Sequence, residues 1–277
     1  MKTKSRLESI IRNTPAPHSR SSLAGDLRRL GVERGMTLIV HSSLSRIGYV
    51  IGGAASVVLA LEDVLGPAGT LAMPTHTESL TDPARWTDPK VPEEWCDTIR
   101  REMPPFDGSL TPADGMGAIV ECFRGRVGTL RSHHPFTSWA ARGKNAEFIT
   151  SAHTLSMSQG EGSPLARMYD LGAHVLLLGV GHACNTSLHL AEYRCRFAAK
   201  KPCKRGAPWE VDGRRRWVAY DDIYWYADDF EDIGSAFEEI PSSTNHGLIG
   251  AAPSRLSEQR KIVDFGASWM NEHRNLL

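Results

Sequence analysis

Gly179-Val180-Gly181-His182-Ala183-Cys184-Asn185-Thr186-Ser187-Leu188-His189-Leu190-Ala191-Glu192 follows directly on the run Ala173-His174-Val175-Leu176-Leu177-Leu178. A short apolar run bounded by glycine reads as a buried strand. Gly179 and Gly181 break it, and Asn185 or Thr186 caps a helix that continues to about residue 194. A strand that turns through glycines into a helix start aims backbone N–H groups into a crevice. His189 and Glu192 lie three apart and so share one face of that helix. Imidazole is suited to proton transfer near neutral pH. The same spacing also describes a capped helix carrying a hydrogen-bonded core histidine.

The pattern repeats outward from this stretch. Residues 36–40 form a second apolar run that ends in His41-Ser42-Ser43, and residues 69–73 a third that ends in Pro74-Thr75-His76-Thr77. Both read as strands that deliver polar groups at their C-terminal ends. Helices are expected over 22–30, over 53–65 with Gly66-Pro67 closing it, over 115–123, near 145–150 and over 164–171. A further short strand is expected over 138–142. Strands alternating with helices make the class α/β, and such sheets place ligands beyond the strand C-termini. Residues 78–114, rich in Pro, Asp and Thr, show no sustained period and read as a substrate-facing excursion. Residues 209–218 alternate around Asp212-Gly213, a hairpin signal. Residues 230–239 and 256–275 read as helices, the latter capped by Ser254 or Ser257.

Composition narrows the function. The 277 residues suit one domain, read as a single unit over 1–277 with a variable loop at 77–114 and an acidic aromatic lobe at 209–254. With 32 basic and 32 acidic residues the net charge is zero, so no global field draws nucleic acid or an anionic membrane. The basic N-terminal segment lacks the apolar centre of a secretory signal, and no apolar run reaches membrane-spanning length. Five scattered cysteines (Cys96, Cys122, Cys184, Cys195, Cys203) make no CxxC pair, which fits reduced thiols and a cytoplasmic protein.

Local clusters carry the remaining information. His41-Ser42-Ser43 with Gly52-Gly53 suits a cradle for phosphate or amide groups, yet matches neither a Walker loop nor a dinucleotide fingerprint. His133-His134 lacks the companion ligands a metal requires, so no metal is expected. Residues 217–254 contain no Lys or Arg but hold Asp221, Asp222, Asp228, Asp229, Glu231, Asp232, Glu238 and Glu239. This tract would attract a polycation, or simply form a solvated face. Trp217, Tyr220, Tyr224, Trp225 and Tyr226 lie within it, suited to stacking on sugars or cations or to the core. Cys184 at a helix start is a rival nucleophile.

Taken in order, Gly35-Met36-Thr37-Leu38-Ile39-Val40-His41-Ser42-Ser43-Leu44, Leu65-Gly66-Pro67-Ala68-Gly69-Thr70-Leu71-Ala72-Met73-Pro74-Thr75, Arg131-Ser132-His133-His134-Pro135, Gly162-Ser163-Pro164 and the opening stretch resemble the aminoglycoside 3-N-acetyltransferase family. The resemblance runs from residue 27 to about 194, and more loosely to 265. It implies a three-layer α/β/α sandwich, distinct from the other large acetyltransferase superfamily. It implies acetyl-CoA as donor and an amine of a 2-deoxystreptamine aminoglycoside as acceptor, with antibiotic resistance as the associated role.

The resemblance also assigns residues. The histidine of the LHLAE segment, His189, is the base, with Glu192 beside it and a carboxylate partner at Asp221 or Asp222. His41, Ser42, Ser43, Thr75, Gly117 and His134 fall on segments that bind the coenzyme. His76, Asp221, Asp222, Asp228 and Trp225 are the candidate acceptor contacts. A monomer or homodimer is expected. Three rivals stand beside this reading: the same transfer to a metabolite amine, a non-enzymatic sugar- or polyamine-binding protein, and a hydrolase. The hydrolase lacks a GxSxG elbow.

Overall fold

In β1 (Thr37–Ser42) and β5 (His174–Leu178), neighbouring residues are apolar and all are buried from Leu38 to Val40 and from Val175 to Leu178. A strand can be apolar on both sides only if both faces of its sheet are covered. The computed structural model, which describes residues 2–197 and 200–274, shows that covering. Leu38, Val40, Leu176 and Leu178 pack with Leu23, Leu27, Val57 and Leu61 of helices Arg20–Leu30 and Gly53–Leu65. Ile39, Val175 and Leu177 point the other way, onto Leu165, Leu188, Ile233 and Ile262. These belong to helices Pro164–Asp170, Ser187–Arg194, Phe230–Glu238 and Gln259–His273. The sheet is therefore the middle of three layers.

The other strands are β2 (Thr70–Pro74), β3 (Leu130–Arg131), β4 (Trp139–Gly143), β6 (Pro202–Val211), β7 (Arg214–Ile223), β8 (Thr244–Ile249) and β9 (Ala252–Glu258). The main sheet has seven strands in the order β3-β4-β2-β1-β5-β9-β8, and β6 with β7 forms a separate hairpin. β1 is parallel to β2 on one side and to β5 on the other, while β4 and β9 run antiparallel to β2 and β5. The chain leaves β1 toward one neighbour and later returns to the other. A crevice opens where such connections diverge, beyond the C-terminal ends of the central strands. Ser42, Pro74 and Leu178 end there.

Most expected elements form within a few residues of their predicted ends. Helix Arg20–Leu30 starts at a capping box on Ser19, two residues earlier than expected, and stops at left-handed Gly31. The hairpin turns at Asp212-Gly213 as predicted but extends to Pro202 and Ile223. The expected helix over 256–275 is the main correction. Residues 252–258 are strand β9, and the helix begins at Gln259 (its expected last residue, Asn275, lies outside the described residues). Its strand state comes from pairing on both sides, with β5 and β8, which local sequence does not encode. The 78–114 excursion holds a helix, Cys96–Glu102, and a small apolar cluster of Leu80, Met103 and Phe106 against Trp86, Ile99 and Trp217. It is fastened to the hairpin by Arg85 donating to the Lys204 carbonyl and Arg215 to the Met103 carbonyl. The acids of the tract are divided among the hairpin (Asp221, Asp222), the connecting segment (Asp228, Asp229) and helix Phe230–Glu238 with its C-cap Glu239.

A pair of buried imidazoles latches residues 153–158 to the turn between β3 and β4. His134 Nδ1 accepts the N–H groups of Phe136 and Thr137, so its proton sits on Nε2 and is donated to the Leu155 carbonyl at 3.1 Å. His153 donates from Nε2 to the Ser158 carbonyl at 2.7 Å and accepts Ser132 Oγ at Nδ1. The two rings lie 4.6 Å apart. Burial holds His134 well below the usual histidine range and brings His153 to about 4 and His41 and His76 to about 3.

These groups stay neutral in the fold but take a proton near pH 6.5 when the chain unfolds. Their contribution to stability is therefore complete above that pH and is lost as pH falls toward the folded-state values. Urea midpoints should fall between about pH 7 and pH 5. The same difference should be smaller in His153→Gln, whatever that variant's absolute stability.

Candidate active site

Gly179 ends β5 in the left-handed region, φ +69°, where a Cβ would come within 2.7 Å of the Arg46 Cβ. The turn steers the chain across the strand ends, through His182–Cys184, into helix Ser187–Arg194. Asn185 Oδ1 accepts the Ser187 N–H at 3.2 Å, satisfying one free donor of the first turn. The helix then presents His189 to a cavity of about 260 Å³ at the C-terminal ends of β1 and β2, lined also by His41, Ser42, His76, Cys184 and Phe230.

His189 Nδ1 lies 2.6 Å from Glu192 Oε2, and Glu192 has no exposed surface. The other oxygen of Glu192 accepts Arg274 Nη1 at 2.8 Å and the Tyr226 N–H at 2.9 Å. Arg274, itself buried, forks onto Asp229 at 2.8 and 2.6 Å and donates to the Tyr226 carbonyl. A carboxylate on Nδ1 fixes the proton there and leaves Nε2 as the basic nitrogen. Trp225 and Phe230 hold the ring, with centroids 4.6 and 4.9 Å away.

The carboxylate that meets His189 is thus Glu192, and neither Asp221 nor Asp222 does. Asp221 is exposed and pairs with Lys204 at 2.5 Å. Asp222 is fully buried and committed elsewhere: to Ser158 Oγ at 2.7 Å, Arg205 Nε at 2.9 Å and the Tyr193 hydroxyl. Tyr193 in turn accepts the Trp225 indole N–H at 3.0 Å. Asp222 therefore anchors the hairpin and, through Tyr193, the Trp225 ring that covers His189. With its oxygens so occupied, it has no lone pair turned toward the cavity for an acceptor. In sequence the two aspartates are indistinguishable, because strand alternation sends one outward and one inward.

The remaining expected residues divide. His41, Ser42 and His76 line the cavity, and His41 Nε2 and Ser42 Oγ are buried with no partner among the described residues. Ser43 sits beside it, its N–H bonded to the Leu178 carbonyl. Thr75 is buried against Ser138 and Arg131, His134 belongs to the latch, and Gly117 caps helix Ala118–Arg124. Those three do not line the cavity. Asp228 is exposed. Arg274, Tyr193 and Gln159 escaped the sequence reading; Tyr193 follows Glu192 directly, but Arg274 is 82 residues away and carries no local signal. Cys184 lines the cavity, yet burial and Glu231 push its thiol pKa up, which lowers its thiolate fraction. Among the described residues no cluster of three His, Cys, Asp or Glu is placed to hold a metal, and no helix is long and apolar enough to cross a membrane.

The family model described as aminoglycoside 3-N-acetyltransferase matches residues 39–271. The chain belongs to the aminoglycoside 3-N-acetyltransferase family. It is accordingly an acyltransferase by family. A prophage-derived aminoglycoside N(3')-acetyltransferase-like protein, YokD, of Bacillus subtilis is 41% identical, over 98% of this chain and 99% of that protein. Aminoglycoside N(3)-acetyltransferase VII of Streptomyces paromomycinus is 37% identical, over 95% of each. The YokD crystal structure superimposes with a TM-score of 0.93 over 96% of this chain and 98% of that one. AAC-IIIb bound to CoASH, at 32% identity, gives 0.84 over 95% and 99%. AAC-VIa bound to sisomicin, at 30% identity, gives 0.84 over 94% and 99%.

The different commitments of the two aspartates set a stability test. Asp222→Ala should cost about 3–5 kcal/mol in urea denaturation, because it strands the half-buried Arg205 together with the Ser158 and Tyr193 hydroxyls. Asp221→Ala should cost under about 1 kcal/mol, as exposed ion pairs do. Equal losses in the two variants would refute this division.

Proposed function

We propose that this protein transfers the acetyl group of acetyl-CoA to the 3-amino group of a 2-deoxystreptamine aminoglycoside by direct attack of the amine. The observation that carries the reading is the His189–Glu192 contact at the cavity wall, backed by Arg274. The cavity suits the donor's acyl-pantetheine end: it lies at the sheet crevice and offers the unpartnered His41 Nε2 and Ser42 Oγ to amide and carbonyl groups. Two family members bound to CoASH and to sisomicin support the same pair of ligand classes here.

An aminoglycoside amine is largely protonated in water and must lose a proton to become a nucleophile. That proton leaves to solvent first; as the neutral amine nitrogen then bonds to the thioester carbon, His189 Nε2 accepts one of its two remaining protons. The carbon–sulfur bond then breaks, and the proton passes on to the departing sulfur. Glu192 stabilises the imidazolium formed in between and keeps the ring's tautomer. Exposed Asp228, and Glu231, which accepts the N–H of the cavity-lining Ala183 at 2.9 Å, are suited to the acceptor's other ammonium groups. Trp225 supplies an aromatic wall beside the base. The suppressed acidity of Cys184 argues for direct transfer over an acyl-cysteine intermediate.

Coenzyme A release against a panel of 2-deoxystreptamine aminoglycosides and simple polyamines, with the product mapped by NMR, tests the acceptor. His189→Ala should lower kcat by about 10²–10⁴-fold while acetyl-CoA binding persists. Glu192→Gln should lose a similar factor, since the amide no longer enforces the tautomer. Cys184→Ser should turn over normally. Retained turnover in His189→Ala, or an acetylated Cys184 trapped by mass spectrometry, would reject the mechanism.

A further inference from the structure

Three imidazoles, those of His41, His76 and His189, line the one cavity, and only His189 is needed as a base. The hydrogen bonds behind His76 determine which of its nitrogens carries the proton. Gln159, fully buried, is the link. An indole N–H can only donate, so the Trp139 Nε1 contact at 3.3 Å fixes the Gln159 oxygen on that side. The Gln159 amide nitrogen is then the atom 3.2 Å from His76 Nε2, and an amide nitrogen can only donate. His76 Nε2 is therefore an acceptor without a proton. The neutral ring must carry its hydrogen on Nδ1, which makes no hydrogen bond among the described residues.

We propose that His76 presents its Nδ1–H to the carbonyl oxygen of the bound thioester and stabilises the oxyanion formed there, and that Gln159 is the positioning residue that holds this tautomer. The proposal rests on the acetyl-transfer reading above. Its chemistry needs no extra reactant: the amine nitrogen bonds to the carbonyl carbon, the carbon–sulfur bond breaks, and the amine proton travels by way of His189 to sulfur. His76 keeps its own proton throughout and contributes only a hydrogen bond. A donor that stays neutral suits a site where His189 becomes positive during the step. Burial keeps His76 uncharged across the neutral range, and a second cation beside His189 would oppose its protonation. Trp139 extends the arrangement into the sheet, because its indole is pinned within β4 and lies edge-on to the His76 ring at 6.1 Å. The donor is thus set by rigid packing before substrate arrives.

Nitrogen-15 NMR of the labelled wild-type protein reads the tautomer without any turnover. The expected result is a protonated Nδ1 and a bare Nε2 on His76, reversed in Gln159→Glu, whose carboxylate requires a donor from the ring. A protonated Nε2 in the wild type overturns the proposal, and this holds even if the Gln159 variant fails to fold. The second arm uses geometry. Asparagine places its amide where Nδ1 stands and glutamine places it nearer Nε2. His76→Asn should keep kcat within about tenfold, while His76→Gln and His76→Leu should lose about 10²–10³-fold with little change in KM for acetyl-CoA. The carbonyl stretch of bound [1-¹³C]acetyl-CoA should be lowered in wild type and His76→Asn and unshifted in His76→Leu. Equal loss in all three variants, or an unshifted wild-type stretch, overturns the oxyanion role. If no amine is acetylated at all, the acetyl-transfer reading falls while the tautomer measurement still stands on its own.

Discussion

Glu192 is a carboxylate with no exposed surface, and a buried charge is tolerable only when it is paired and fully hydrogen-bonded. Most of the site's construction meets that demand. Arg274 supplies the opposite charge, and the Tyr226 N–H supplies a second donor. Arg274 then needs partners of its own, which it finds in Asp229 and the Tyr226 carbonyl. The segment joining the hairpin to helix Phe230–Glu238 is thereby drawn against helix Ser187–Arg194. The remaining oxygen of Glu192 is left for His189. The His189 ring is held in register because a charge beneath it has to be neutralised.

A second buried carboxylate does similar work one layer out. Asp222 ties the hairpin to Ser158 and to Tyr193, and Tyr193 takes the indole N–H of Trp225. Arg205 lies over the Trp225 and Phe136 rings, 4.6 and 5.0 Å from their centroids, so its charge is used both in the ion pair and on the aromatic faces. Glu192 orients the imidazole through hydrogen bonds, and Asp222 fixes the wall that confines it. Both networks converge on one eight-residue helix, which carries His189, Glu192 and Tyr193 within five positions.

Much of this architecture was legible in the sequence. The apolar runs that became β1, β2 and β5, with polar residues at their ends, specified a doubly covered sheet and the location of its crevice. His189 and Glu192 could be placed on one face because helix spacing is a local property. What the sequence hid depends on distant pairing. β9 is a strand because β5 and β8 flank it, and nothing between Ala252 and Glu258 announces that alone. Asp222 looked like one acid among many because the tract's composition reads as surface, while strand alternation turned this residue inward. Thr75 and His134 sit in segments adjoining the site but serve the framework behind it, a distinction that motif order does not contain.

The reach of Arg274 has a consequence for how the protein comes into being. Glu192 and its cation are separated by 82 residues, so every other part of the cavity is synthesised before the charge that completes it. A chain ending just after His189 and Glu192 contains β1, β2 and β5, yet it holds a carboxylate without its counter-ion. An ordered His189 therefore depends on the end of helix Gln259–His273 docking against helix Ser187–Arg194. Fragments of this chain that stop short of Arg274 would keep every strand of the sheet in their sequence and lack the cation that orders Glu192 and, through it, the His189 ring.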